Sequence, residues 1–230
     1  MSKPSIVFAH GLWADGSCFS KVIEPLLADG YEVIATQNHL NTVADDAAAV
    51  RTSLGRASGP VVLVGHSYGG TVITAGGADD RVKALVYICA FAPEDGDPTE
   101  ADQAKFPNTA VFQHIVAADG RLFLRPSGIR EFAGDLPEAE QKLIWATQMG
   151  PLADLFTQPV PGAAWKTRPT YYIVGTEDRT IQPELQRLLA KRMKAKVTEL
   201  ASSHVPMLSQ PRRVYEVIRE AADAVQRSAM

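Results

Sequence analysis

The amino-acid sequence predicts an α/β fold built on a mainly parallel, doubly wound β-sheet. Short apolar, β-branched segments alternate along the chain with longer segments of helical periodicity, an order typical of parallel sheets with helices on both faces. The apolar segments lack strict polar–apolar alternation, as expected for strands that are buried on both sides. One long stretch, residues 93–168, interrupts this order and predicts an insertion between two core strands.

Six strands and five core helices are expected. The predicted strands are Ser5–His10, Glu32–Thr36, Pro60–Gly65, Ala84–Ala90, Thr170–Val174 and Lys196–Leu200. The predicted helices are Phe19–Asp29, Val43–Ala57, Gly69–Ala75, Pro183–Lys194 and Arg212–Gln226. Local signals support three of these helices. Thr42 stands three residues before an aspartate, as a helix N-cap does, Gly30 follows the first helix as a stop, and Pro183 suits a first helical turn.

The interrupting stretch is rich in Pro, Gly, Asp and Gln and contains one clear helical piece, Pro137–Met149. It holds no second strand–helix–strand series. We therefore expect one core, residues 1–92 and 169–230, and an inserted lid, residues 93–168, over the edge of the sheet. A hydrophobic lid can cover a pocket or form the contact of a homodimer, and the sequence leaves both open.

Composition limits the classes of function. The chain has 230 residues, of which 46% are hydrophobic, and a net charge of -3, which gives no general attraction to nucleic acid or to an anionic membrane. The basic run KRMK at 191–194 is interpreted as a solvated helix face. The amino-terminal segment MSKPSIVFAHGLW has an apolar run of four residues, too short for a signal peptide or a membrane span, so the cytoplasm is the expected location.

Cysteine usage predicts neither a disulfide framework nor a metal site. Cys18 and Cys89 both lie in apolar surroundings, and no CxxC or Cys/His metal spacing occurs. Two buried free thiols are therefore expected.

The segment VVLVGHSYGG, residues 61–70, holds the candidate nucleophile. Gly65-His66-Ser67-Tyr68-Gly69 fits the G-x-S-x-G pattern of a nucleophile elbow, and it follows a predicted strand and precedes a predicted helix. At such a turn the serine backbone is strained, and flanking glycines remove side chains that would crowd the neighbouring elements. The alternative is a glycine-rich turn with an incidental serine.

An attacking serine needs N–H donors for the oxyanion that develops on the carbonyl. One donor is expected to be the Tyr68 N–H, directly after the nucleophile. The loop after the first strand contains His10-Gly11-Leu12, where Gly11 allows close approach and leaves the Leu12 N–H as the second donor. His10 is expected to orient this loop, although it could be mistaken for the catalytic base.

The base and the acid are expected late in the chain. LASSHVPMLSQP places His204 in a loop of small residues after the last strand. YYIVGTEDRT offers Asp178 as the acid, with Glu177 as the next candidate and Asp95 or Asp97 as fallbacks. The resulting chain order, serine, acid and histidine, is that of elbow hydrolases. The histidine would take the serine proton, and no metal or organic cofactor is required.

With these residues assembled, the chain resembles the α/β-hydrolase superfamily over nearly its whole length. Within it, the chain is similar to the small plant methyl esterases and hydroxynitrile lyases and their bacterial relatives. The resemblance implies a triad of Ser67, Asp178 and His204 that acts on a small ester. The matching segments are HGLWADG, VGHSYGGTV, YICAFAPEDG, YYIVGTEDRTIQPELQ and SSHVPML.

Two departures from this group bear on the reaction. Hydroxynitrile lyases carry Thr at the position of Gly11, and they carry Lys directly after the catalytic histidine, where this chain has Val205. Because that Lys handles cyanide, its absence argues for ester hydrolysis over cyanohydrin cleavage. The lid is also shorter than in the plant enzymes, so the substrates of those enzymes are not assigned to this chain.

An apolar pocket under the lid suits a small, hydrophobic ester as substrate. The leading hypothesis is a serine hydrolase. The alternatives are thioester or C–C bond hydrolysis, perhydrolysis or lyase chemistry on the same triad, or a non-enzymatic ligand-binding module. A haloalkane dehalogenase is disfavoured because its nucleophile is an aspartate. The pocket candidates are Trp13, Phe91, Trp145, Met149, Leu152 and Met207.

Overall fold

The computed structural model describes residues 3–228, and within them lie eight strands and nine α-helices. The strands are β1 (Ser5–Ala9), β2 (Val33–Thr36), β3 (Val61–His66), β4 (Val82–Ile88), β5 (Ile115–Ala118), β6 (Arg121–Leu124), β7 (Thr170–Gly175) and β8 (Lys196–Leu200). The helices are α1 (Ser20–Ala28), α2 (Val43–Arg56), α3 (Tyr68–Gly76), α4 (Glu100–Gln103), α5 (Ile129–Ala133), α6 (Glu138–Thr147), α7 (Pro183–Arg192), α8 (Pro206–Ser209) and α9 (Pro211–Ser228).

Six strands form one sheet in the order β2-β1-β3-β4-β7-β8. Every neighbouring pair in it is parallel, and the central strands β1 and β3 are buried along their whole length. The predicted fold class is therefore confirmed, and the six predicted strands lie where they were expected. Because all strands run in one direction, the loops that follow them meet at a single edge of the sheet.

The largest boundary difference falls on the fourth strand, which begins at Val82 and ends at Ile88. Its predicted end, Ala90, lies too late because Cys89 adopts a φ of 44°, which breaks the extended conformation.

The predicted helix signals take the expected positions. The Thr42 hydroxyl accepts a hydrogen bond from the Asp45 N–H at 3.0 Å, Gly30 follows α1 with a φ of 78°, and Pro183 is the first residue of α7. These contacts satisfy or remove backbone groups that a helix end would otherwise leave unpaired.

The chain between β4 and β7 contains α4, α5, α6 and an antiparallel hairpin of β5 and β6. This hairpin was not predicted. Its strands have only four residues each; β5 is largely exposed and β6 is mostly half-buried, so together they give a weak apolar pattern. The available signal was the dipeptide Asp119-Gly120, whose φ angles of 49° and 75° suit a two-residue hairpin turn.

Both cysteines are free; Cys89 is buried and Cys18 is half-buried. Among residues 3–228, no helix combines the length and the apolar character that crossing a membrane requires.

Candidate active site

Ser67 lies between β3 and α3 in a strained backbone conformation, with φ 57° and ψ -125°. Such a conformation costs a non-glycine residue about 1–3 kcal/mol and persists only where surrounding contacts enforce it. Here the Ser67 N–H donates to the Ile88 carbonyl at 3.1 Å, and its own carbonyl accepts from the Gly70 N–H at 2.9 Å. The side chain lines a cavity at the edge of the sheet.

At two positions around this serine, neighbouring atoms lie so close to the backbone that only glycine fits. A Cβ atom at Gly69 would lie 2.1 Å from the Ala9 carbonyl oxygen, so α3 could not pack against the end of β1. A Cβ atom at Gly11 would lie 2.6 Å from the Cβ of Ser67. The loop after β1 therefore reaches the serine, as the sequence predicts, because residue 11 has no side chain.

Gly69→Ala is expected to destabilise the fold by about 3 kcal/mol, at the upper end of the cost of overpacking, because backbone has to move. Urea unfolding measures the change. Gly55→Ala in α2 is the matched control, since no atom lies within 4 Å of its added Cβ. That variant should gain roughly 0.5–1 kcal/mol. Equal stabilities of the two variants would contradict the close approach.

Two amides near Ser67 are free to bind a ligand. Neither the Leu12 N–H nor the Tyr68 N–H donates a hydrogen bond within residues 3–228, whereas the next amide, Trp13 N–H, donates to the Met149 carbonyl at 3.0 Å. Tyr68 is also the first residue of α3, where the helix dipole favours negative charge. The two predicted oxyanion donors are thus unoccupied.

His10 is held within the loop after β1. Its Nε2 accepts from the Asn38 N–H at 2.8 Å, so Nδ1 carries the proton and donates to the Gly11 carbonyl at 2.9 Å. Burial lowers the pKa of His10. With both ring nitrogens engaged, this histidine orients the loop and has no free nitrogen to act as a base.

The Tyr68 side chain is fixed by a buried carboxylate that sequence reasoning missed. Its hydroxyl donates to Asp46 at 3.0 Å, and the same carboxylate accepts from the N–H groups of His39 and Leu40 at 2.7 and 3.1 Å. Burial raises the pKa of Asp46. Asp46 thereby anchors the residue whose amide lies next to Ser67.

His204 pairs with Asp178. The His204 Nδ1 and an Asp178 carboxylate oxygen are 2.7 Å apart, and both side chains are fully buried. The alternative acids take other places. Glu177 is exposed and uses its backbone N–H to bind the Ser202 carbonyl. Asp95 and Asp97 are exposed beyond β4; the Asp95 carboxylate accepts from the Gly162 N–H.

The Asp178 carboxylate is held from several sides. One oxygen accepts from the N–H groups of Thr180 and Ile181 at 2.7 and 3.0 Å. The other accepts from the Gln186 side-chain amide at 2.7 Å as well as from His204. Gln186, buried in α7, was not predicted, because its sequence context resembles that of any helical glutamine. These bonds fix the direction in which the carboxylate faces the imidazole.

The backbone carbonyl of His204 is held by His66, the histidine of the elbow. His66 Nε2 donates to the His204 carbonyl at 2.8 Å, and the two rings lie 4.7 Å apart. Burial, followed by the proximity of His204, lowers the pKa of His66 well below its usual value. His204 Nε2 is itself buried and has no hydrogen-bond partner within residues 3–228. No group of the described residues therefore occupies this nitrogen.

An apolar cavity of about 320 Å³ opens on Ser67. Three predicted pocket residues, Trp13, Phe91 and Leu152, line it. The cavity is also lined by residues that sequence reasoning did not single out, because the course of the insertion was unknown. Among these are Val111, Phe112, Ile115, Leu122, Phe156 and Ile181.

The other three predicted pocket residues do not line this cavity. Met207 is buried beside a second cavity of about 370 Å³. Trp145 is 43% exposed and donates its indole N–H to the Leu124 carbonyl at 3.1 Å. Met149 is 37% exposed and reaches the site only through its carbonyl. No residue from the start of α6 to Met149 lines this cavity.

One cluster has the residue types of a metal site. Cys89, Asp178 and His204 are buried, and their potential ligand atoms lie within 4.8 Å of one another. Burial raises the pKa of Cys89 well above its usual value, so the group is a protonated thiol and a poor metal ligand. The other two members already bind each other. The arrangement favours a hydrogen-bonded acid–base pair.

The fold and the turn define a class of protein. A parallel sheet with helices on both faces, which carries a strained serine between a central strand and the following helix, is the α/β-hydrolase architecture. Comparisons with known proteins agree with this class. The model of the alpha/beta hydrolase family matches residues 6–217.

Relatives match the chain over almost its whole length. A pyrethroid hydrolase of Sphingobium wenxiniae is 30% identical in an alignment that covers 97% of this chain and 89% of that protein. Methylesterase 7 of Arabidopsis thaliana is 26% identical and covers 96% of this chain and 97% of its own. A crystal structure of a pyrethroid hydrolase, 29% identical, has a TM-score of 0.80 and covers 97% of this chain and 98% of its own.

The chain belongs to the alpha/beta hydrolase family. The predicted resemblance and fold are confirmed, and so is the prediction of an enzyme of the carboxylic ester hydrolase class.

Proposed function

We propose that this enzyme cleaves small, apolar carboxylic esters through an acyl-enzyme on Ser67. The observation that carries the proposal is the buried 2.7 Å hydrogen bond between His204 and Asp178, which leaves His204 Nε2 without a partner within residues 3–228. A buried histidine oriented by a carboxylate is the arrangement that activates a serine hydroxyl. Ser67 lines the cavity in the strained conformation of a nucleophile elbow.

The proposed reaction has two halves. His204 Nε2 takes the hydroxyl proton as Ser67 Oγ attacks the ester carbonyl, and Asp178 holds the imidazole in the required tautomer. The Leu12 and Tyr68 N–H groups stabilise the oxyanion. His204 then gives its proton to the departing alcohol oxygen. In the second half, His204 removes a proton from water as the water attacks the acyl carbonyl. His204 then returns that proton to Ser67 Oγ as the bond to the acyl group breaks and the acid leaves.

The cavity supports an apolar substrate. Its volume of about 320 Å³ suits a small acyl or alcohol group, and its lining consists mainly of aliphatic and aromatic side chains. The relatives named as pyrethroid hydrolase and methylesterase act, by those names, on pyrethroids and on methyl esters. Both names support ester cleavage over lyase chemistry, and the first supports a hydrophobic substrate.

Trapping the acyl-enzyme tests the proposed chemistry. The protein is mixed with p-nitrophenyl butyrate, quenched in acid after one turnover and digested with trypsin, which releases residues 57–81 as one peptide. We expect a butyryl adduct on Ser67 by fragment mass spectrometry. An adduct on another residue, or turnover without any adduct, would contradict the serine mechanism. Rates on an oxygen ester and its thioester analogue then distinguish the ester from the thioester alternative.

Leu152→Trp is expected to restrict substrate length, because residue 152 lines the cavity and the larger ring would fill part of it. The variant should hydrolyse p-nitrophenyl acetate within about 3-fold of the wild-type rate. Its kcat/KM for the octanoate should fall by roughly 10-fold or more, the range in which pockets discriminate by size. Leu188→Trp, on the exposed side of α7, is the control. An equal loss of kcat/KM on both esters would show that Leu152 does not limit the length of the acyl chain.

A further inference from the structure

We propose that the insertion positions the catalytic base, through a clamp formed by Asp135 and Phe132. The clamp holds the loop that carries His204, so the lid does more than roof the cavity. The role assigned to His204 rests on the proposed function, whereas the contacts of the clamp are independent of it.

Asp135 lies between α5 and α6 and accepts three hydrogen bonds from the two residues before His204. One oxygen accepts from the Ser203 N–H at 2.9 Å and from the Ser202 hydroxyl at 3.1 Å, and the other accepts from the Ser203 hydroxyl. Burial opposes ionisation of Asp135, but the hydrogen bonds from the serines outweigh it and lower its pKa. The group is therefore a carboxylate at neutral pH, and its bonds to the loop are charge-assisted.

Phe132, one turn earlier, holds the imidazole itself. Its ring is buried and meets the His204 ring edge-on, with 5.0 Å between the ring centres. The Phe132 ring also packs against the rings of His66 and Trp13, whose centres lie 6.5 and 6.0 Å from its own. Asp135 thus fixes the two residues before the base while Phe132 limits the orientations of its ring, and both come from one short piece of the insertion.

Neither residue is placed to act on a substrate directly. Both oxygens of the Asp135 carboxylate accept hydrogen bonds from the loop before His204, and Phe132 presents only a hydrocarbon ring. Asp135 is a positioning residue. Because the direction of the His204 ring decides whether it can reach the serine proton, loosening the loop should lower turnover and leave substrate affinity largely unchanged.

The test compares Asp135→Asn and Asp135→Ala with Asp154→Asn, an exposed acid of the insertion whose side chain makes no hydrogen bond within residues 3–228. Asparagine keeps one acceptor oxygen and alanine keeps none. With p-nitrophenyl acetate, we expect kcat to fall by about 10-fold in Asp135→Asn and about 100-fold in Asp135→Ala, the scale of a small misplacement of a catalytic group. KM should stay within about 2-fold, and Asp154→Asn should match the wild type.

Amide hydrogen exchange of residues 202–205 provides a readout that does not depend on hydrolysis. It should be faster in both Asp135 variants, while exchange in β3 stays unchanged. If the wild-type protein hydrolyses no ester, the proposed function fails, and the exchange rates alone decide whether the clamp exists. Unchanged exchange and kcat in folded Asp135→Ala, or in Asp135→Asn if the alanine variant does not fold, would overturn the proposal. A rise in KM without a fall in kcat would overturn it as well.

Discussion

Ser67→Ala is expected to lower the turnover of p-nitrophenyl acetate and butyrate about a million-fold, the usual contribution of a nucleophilic serine to a triad. Alanine removes only the hydroxyl, so the elbow and the neighbouring Leu12 and Tyr68 amides remain. Residual hydrolysis should therefore stay above the rate in water, because the oxyanion donors still act on a bound ester. The measurement is release of p-nitrophenol at neutral pH, with circular dichroism to verify folding.

The matched control is Ser228→Ala, which removes a serine hydroxyl near the end of α9, where it bonds to the Ala224 carbonyl. Its rates should equal those of the wild type. Equal rates in Ser67→Ala and the wild type would remove Ser67 as the nucleophile. Absence of hydrolysis in all three proteins would favour the non-ester reactions or the ligand-binding module.

Asp178→Asn is expected to lower kcat by roughly 10⁴-fold at neutral pH with little change in KM. The Asn side chain can present N–H to His204 Nδ1. The imidazole would then carry its proton on Nε2 and could not accept one from Ser67. Steady-state hydrolysis of p-nitrophenyl acetate measures the effect, and thermal unfolding verifies that the Gln186 and backbone contacts still hold the loop.

Glu177→Gln provides the control for this prediction, because residue 177 is adjacent in sequence but exposed. It should retain wild-type activity. The reverse result, loss in Glu177→Gln and activity in Asp178→Asn, would make Glu177 the acid and contradict the pairing seen in the structure.

The sequence predicted those features that are encoded locally. Gly65-His66-Ser67-Tyr68-Gly69 specifies a turn within five residues. Gly11, in the loop after β1, has no side chain and so allows this loop to approach Ser67 closely. The strands were predicted equally well, because burial on both faces leaves continuous apolar runs.

The features that were missed depend on contacts between distant residues. Ser203 and Asp135 are 68 positions apart, and His66 and His204 are 138 positions apart. No periodicity or motif predicts such a pair. In the sequence, an aspartate between two helices of an insertion cannot be distinguished from a solvent-exposed acid. The pocket candidates failed for the same reason. Trp145 and Met149 lie on or just after a helix whose direction relative to the cavity is set by tertiary packing.

The order of the strands has a consequence for biosynthesis. β4 lies beside β7 in the sheet although about eighty residues separate them along the chain, and pairings that bridge such distances form slowly. During synthesis, a chain that ends before β7 would contain Ser67 and its turn but neither Asp178 nor His204, and the far edge of β4 would be unpaired. An unpaired strand edge of this kind is prone to aggregate. We therefore expect the yield of folded protein in a cell to depend on how quickly the last sixty residues emerge and complete the sheet.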